Sequence, residues 1–187
     1  MKYKRFHNSE DITPDSVAFS RENFVGKLKN YNGKDDLIAE EYIDGPEVCS
    51  GFVGNNPRIM LPVVEFVFNE YSDSRPKIRD FDAKWKDERE EHTQGHLKFA
   101  ELPEEVIAKI NRYTSTIADV FDIKDYARFD FRLKKKKNGF TPYIIDINAN
   151  PDINSDATLY KMAEHMGLNY TQFVGIIVDS AFKRYGK

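Results

Sequence analysis

Two segments, Tyr126 to Leu133 and Thr141 to Asn148, carry an alternation that fits a β ribbon with two unlike faces. In the first, Ala127, Phe129, Phe131 and Leu133 fall on one side, and Arg128, Asp130 and Arg132 on the other. In the second, Tyr143, Ile145 and Ile147 are set against Ile144, Asp146 and Asn148. Lys134 to Lys137 and then Asn138-Gly139 lie between them, so the order is strand, turn, strand. The lysines suit a solvated hairpin end that discourages strand addition.

Turn length sets which residues meet. A two-residue Asn138-Gly139 turn opposes Asp130 to Ile147 and sends the acids to opposite sides of the ribbon. A three-residue loop, Lys137-Asn138-Gly139, with Gly139 left-handed as a bulge, opposes Asp130 to Asp146 and Arg128 to Asn148. Two carboxylates and an amide oxygen then share a surface, a hard-oxygen set suited to Mg²⁺ (or Mn²⁺) that keeps positions open for water and phosphate oxygens. Arg128 beside them is a fixed cation for developing negative charge. The alternative is a solvated charge ladder on the outer face of a sheet.

The rest of the chain supplies an α+β setting of mainly antiparallel sheets flanked by helices. Ser20 caps a short helix to about Tyr31, ended by Asn32-Gly33. Leu37 to Ile43 and Glu47 to Val53 are strands joined by Asp44-Gly45-Pro46, which predicts a hairpin. Pro57 to Phe68 is a third strand broken at Pro62. Asn69 to Glu101 is charged, aromatic and aperiodic, with the character of a lid. Pro103 starts a strong helix to about Phe121 through Val106, Ile110, Tyr113 and Ile117. Ser155 caps a helix ending at His165, and a last one spans Tyr170 to Arg184 with Phe173, Ile176, Ile177 and Ala181 as its stripe. The expected division is 1–70 as one subdomain and 71–187 as a second.

Composition removes several function classes. Over 187 residues the net charge is -3, so there is no basic field for a nucleic acid. No apolar run approaches the ~20 residues that cross a bilayer, and the start lacks the apolar core of a signal peptide. Cys49 is the one cysteine, which suits a cytoplasmic protein and reads as a small buried hydrophobe. His92 and His96 have helical ligand spacing but flank Gly95 in a loop, which argues against a zinc role.

Arg128-Phe129-Asp130 followed by Asp146-Ile147-Asn148-Ala149-Asn150-Pro151 resembles the carboxy-terminal signature of ATP-grasp ligases, in particular D-alanine-D-alanine ligases, where R-x-D precedes E-x-N-x-x-P. Ala39 to Glu47 resembles the hinge motif of that family, Asp82 to Trp85 its mobile loop over the phosphates, and Gly167 to Tyr170 its connector into the last helix. The resemblance covers most of the chain from Glu10 onward.

It implies an ATP-grasp fold with the family's amino-terminal domain absent, and ATP held between two α+β units. By position, Glu40 accepts from the adenine amino group, Glu41 and Ile43 offer backbone to the adenine edge, and Glu47 binds ribose hydroxyls. Lys84, and Lys4 or Lys2, would reach phosphates. Asp130, Asp146 and Asn148 would hold Mg²⁺, and Arg128 would stabilise the transferring group. The implied activity is an ATP-dependent ligase joining a small-molecule carboxylate to an amine through an acyl phosphate, with a homodimer as a candidate assembly. A nucleotide-binding module without turnover, or a fragment needing the missing domain, is the alternative.

Two departures stand out. Asp146 replaces the usual Glu, and Asp152-Ile153-Asn154 follows Pro151 where the ligases place a glycine whose N–H helps form an oxyanion site.

Overall fold

A computed structural model describes residues 16–31, 37–68, 76–78, 95–137 and 139–186, with the backbone alone at 2–5. In chain order the elements are β1 (Lys2–Arg5), α1 (Arg21–Lys29), β2 (Leu37–Glu40), β3 (Glu47–Val53), β4 (Ile59–Met60), β5 (Val64–Phe68), β6 (Gly95–Phe99), α2 (Glu104–Val120), β7 (Tyr126–Lys136), β8 (Gly139–Asn148), α3 (Thr158–His165) and α4 (Tyr170–Arg184). The chain divides into two compact units, 1–44 with 67–96 and 45–66 with 97–187.

In the first unit β1 and β2 pair antiparallel, Lys2 opposite Glu40 and Lys4 opposite Ile38. Ser20 caps α1 by accepting the Asn23 N–H at 3.0 Å, the interaction its position in the sequence predicts. None of the α1 residues is buried, so the expected Phe24, Leu28 and Tyr31 side forms no core stripe. A small apolar cluster joins Val17, Ile78 and Tyr42.

The second unit is built on β3. All seven of its residues are buried, which requires cover on both faces of the sheet. β7 lies along one edge, and β5 and the short β4 share the other, giving the sheet order β6-β5-β3-β7-β8 among the described residues. The expected β2–β3 hairpin does not form: β2 pairs with β1, while β3 becomes a central strand. Pro62 splits the third predicted strand into β4 and β5. Within the segment expected to have the character of a lid, Gly95–Phe99 forms strand β6, which its weak alternation does not announce.

Each face of the sheet has its own core. Val48, Phe52, Ala127, Phe129 and Phe131 pack with Val106, Ile110 and Ala118 of α2. On the opposite face Cys49 and Val53 pack with Leu159, Met162 and Ala163 of α3 and Phe173 and Ile177 of α4. Gly51 allows this second approach, because a Cβ there would lie 2.6 Å from Leu159 Cδ1 and 2.9 Å from the Ala127 carbonyl oxygen. Cys49 is fully buried, as expected of a small hydrophobe. α4 begins in a capping box between Asn169 and Gln172. α3 is capped by Ala157 rather than the predicted Ser155, with no side-chain bond.

Candidate functional site

The charged stripe lies on the face that also carries α3 and α4. The β3–β7 register sets Glu47 opposite Arg132, Cys49 opposite Asp130 and Gly51 opposite Arg128. Across β7 on the other edge, Asp130 stands opposite Asp146 and Arg128 opposite Asn148. Residues directly opposite in an antiparallel pair share a face. Four predicted residues, Arg128, Asp130, Asp146 and Asn148, are therefore gathered on one surface of the ribbon.

The route to that register differs from the expected one. Lys136 pairs with Gly139, so the paired ends are separated by two residues in sequence rather than the three expected. Gly139 does adopt a positive φ of 105°. The ladder then shifts between Asp130 and Phe131, where Ile145 is the extra residue, since Phe131 pairs with Ile144 and Asp130 with Asp146. This bulge restores the pairing of the acids. It also breaks the alternation of β8: Tyr143 pairs with Arg132 and joins the Asp146 side, while Ile144 moves to the side of Phe131. The Lys134 ammonium, 5.8 Å from the Tyr143 ring centroid, follows from that change.

Arg128 grips Asp130 through two hydrogen bonds, Nε to Oδ1 at 3.0 Å and Nη2 to Oδ2 at 3.1 Å. Burial alone would pull the guanidinium's pKa down; the Asp130 charge beside it, with contributions from Cys49 and Asp146, carries it above the ordinary arginine value. Arg128 is thus a fixed positive charge on a rigid strand, and Asp146 lies close enough to act on it. Asp146 itself is exposed on the edge strand, whereas Asp130 is buried.

Beyond Asn148 one local bond and one long-range bond hold the chain. The Asn150 N–H donates to Asn148 Oδ1 at 3.1 Å, and the Tyr126 hydroxyl donates to Asn150 Oδ1. Past Pro151, Asp152 Oδ1 accepts the Asn154 N–H at 2.9 Å, forming an Asx turn.

Two carboxylates and an amide oxygen are the kind of donors that a hard divalent cation takes. Each Asp130 oxygen accepts one Arg128 N–H, and a carboxylate offers about four acceptor positions, so the grip leaves capacity on both oxygens. Among the described residues no group of three or more His, Cys, Asp or Glu could hold a metal, so any site here depends on the Asn148 amide as third donor.

Glu47 is buried and ion-paired with Arg132, Oε2 to Nη2 at 2.8 Å. Arg132 appeared in the sequence only as one rung of the charge ladder. Its partner was not legible because β3 and β7 are remote in the chain. Glu40 ends β2 half-buried, Glu41 is exposed and Ile43 is buried, all within the first unit. Lys4 lies on β1, and Lys84, Trp85 and His92 fall outside the described residues. His96 is exposed on strand β6, so the helical spacing suggested for His92 and His96 is not realised at His96.

Residues 20–179 match the family described as D-ala D-ala ligase C-terminus. The D-alanine–D-alanine ligase of Fervidobacterium nodosum is 27% identical over 175 residues, spanning 90% of this chain and 49% of that relative. Among solved structures, the D-alanine–D-alanine ligase from Bacillus anthracis complexed with ATP superposes with TM-score 0.63 at 19% identity, covering 90% of this chain and 49% of the other. The Coxiella burnetii D-alanine–D-alanine ligase gives TM-score 0.65 at 19% identity, covering 99% of this chain and 45% of the other. These structural likenesses establish the shared ATP-grasp fold. The chain spans about half the length of the curated relatives it matches.

Proposed function

Because the chain belongs to the D-ala D-ala ligase C-terminus family, we propose that it is the nucleotide- and metal-binding part of an ATP- and Mg²⁺-dependent ligase joining a carboxylate to an amine. The observation that carries this reading is the placement of Asp130 opposite Asp146 and Arg128 opposite Asn148 on one sheet face. Asp130, Asp146 and Asn148 would hold Mg²⁺ (or Mn²⁺). When bound, the ion neutralises charge on phosphate oxygens.

The chain's own residues have the following parts. Arg128, locked by Asp130, presents a permanent cation to the phosphoryl group as it passes to the carboxylate, so no reorganisation is needed as charge develops. The resulting acyl phosphate is attacked by the amine, releasing phosphate and leaving an amide. Glu47 accepts ribose hydroxyls, Glu40 the adenine amino group, and the backbone of Glu41 and Ile43 meets the adenine edge. Lys4 and Lys84 reach phosphates. A cytoplasmic setting suits ATP and a lone buried thiol.

The departure after Pro151 supports a second reading. Asp152, closing its own turn onto Asn154, occupies the stretch where the ligases place a glycine. A nucleotide-binding module without turnover would tolerate that change.

Calorimetry of ATP binding with and without Mg²⁺, on wild type and Asp146→Ala, tests the first reading. Mg²⁺-dependent binding that the substitution abolishes is expected. Absence of such binding in wild type sinks both readings. Binding without release of ADP when amino acids are supplied selects the module.

A further inference from the structure

We propose that Arg132 is a positioning residue for the nucleotide, holding the Glu47 carboxylate in the orientation from which it accepts the two adjacent hydroxyls of a ribose. The inference rests on the nucleotide reading of Glu47 given above. It adds a residue to which the resemblance assigns no role.

Arg132 is anchored at two points. Its Nη2 lies 2.8 Å from Glu47 Oε2, and its Nη1 donates to the Gly45 carbonyl at 2.9 Å. The Arg132 and Glu47 side chains are 5% and 6% exposed, so neither bond competes with bulk water. A planar guanidinium held through two different nitrogens cannot rotate about its own axis, and it passes that rigidity to its partner.

Backbone geometry holds both ends of the pair. Glu47 and Arg132 are directly opposite in the β3–β7 ladder, and the Leu133 N–H donates to the Pro46 carbonyl at 2.9 Å. Gly45 approaches β7 so closely that a Cβ on it would lie 2.0 Å from the Leu133 carbonyl oxygen. The turn before β3 is thereby pressed onto the strand that carries Arg128 and Asp130.

A glutamate has three side-chain torsions, and a buried carboxylate without a counter-charge is costly. Arg132 addresses both problems. It fixes the torsions, and it supplies the counter-charge that lets the carboxylate stay ionised where it is buried.

The test is the ratio of affinities for ATP and 2′,3′-dideoxy-ATP, measured by calorimetry with Mg²⁺ on the full chain. Wild type should prefer ATP by about tenfold, as for hydrogen bonds to a charged acceptor. Arg132→Met should bring the ratio close to one while leaving affinity for the dideoxy nucleotide within about threefold. Glu47→Gln should lower the ratio as well. Arg132→Lys keeps the charge but not the two-point grip, and should give an intermediate ratio; it carries the test if the methionine variant does not fold. A folded Arg132 variant with the wild-type ratio overturns the proposal and leaves the nucleotide reading standing. Wild type that binds ATP with a ratio of one overturns the Glu47 assignment and this proposal with it. Wild type that binds no ATP overturns the nucleotide reading itself.

Discussion

Asp130 and Asp146 stand directly opposite each other across the β7–β8 ladder, yet Asp130 is buried and Asp146 is exposed. Only Asp130 is gripped by Arg128, through both carboxylate oxygens. The two acids therefore differ in what they do for the fold, even though the proposed metal role asks the same of both.

Alanine at each position should expose that difference. Asp130→Ala leaves the half-buried Arg128 guanidinium without its counter-charge and should cost roughly 3 kcal/mol. Asp146→Ala, at the sheet edge, should change stability by less than about 0.5 kcal/mol. Urea denaturation of the two variants checks this, and equal losses would show that Asp130 has no structural share in the pair.

Gly45→Ala should be severely destabilising. The added methyl would meet the Leu133 carbonyl oxygen at 2.0 Å, and the residue sits at φ +150°. The clash is with backbone, which cannot rotate away, so a loss of at least about 3 kcal/mol is expected. A urea midpoint close to that of wild type would show that the turn before β3 relaxes without cost.

Much of the ribbon was legible in the sequence because its alternation is local: Phe129 and Phe131 against Arg128 and Asp130 needed only the two-residue period of a strand. Ser20 as the cap of α1 and the span of α4 were legible for the same reason. What escaped was whatever depends on partners distant in sequence. Glu47 to Val53 looked like half of a hairpin with Leu37 to Ile43, since nothing local reports that all of β3 is buried between β7 and β5. The Glu47–Arg132 pair was hidden by the same separation. The bulge at Ile145 was illegible too, because β-branched, apolar Ile145 continues the strand pattern without a break.

Asp125 predicts a pH effect. Burial pushes its carboxyl upward, but hydrogen bonds from Arg184 and Asn55 and the charges of Arg184 and Lys124 outweigh this and hold it below the ordinary aspartate value of 3.8. A pKa that is lower in the folded state contributes stability that is fully present above the unfolded value and is lost as pH falls through the folded one. Arg184→Met removes the bond of Nη2 to Asp125 Oδ2 at 2.6 Å. Its acid unfolding midpoint should therefore lie at higher pH than that of wild type. Circular dichroism between pH 6 and about 2 checks this, and coincident acid transitions would rule it out.

If the bulge serves mainly to restore register, deleting the bulge residue and deleting a residue beyond it should have different outcomes. Removing Ile145 lets Phe131–Ile144 and Asp130–Asp146 follow consecutively, so both pairs of the site survive. Removing Ile147, in the regular part of the ladder, brings Asn148 opposite Phe129 and turns it to the other face. Losing the proposed Asn148 ligand this way should weaken Mg²⁺-dependent ATP binding by about 10- to 100-fold, the range for disrupted metal shells, while the Ile145 deletion should stay below about tenfold. Calorimetry at fixed Mg²⁺ distinguishes them. Equal losses would mean that the local twist imposed by Ile145 matters to the site as much as the register it restores.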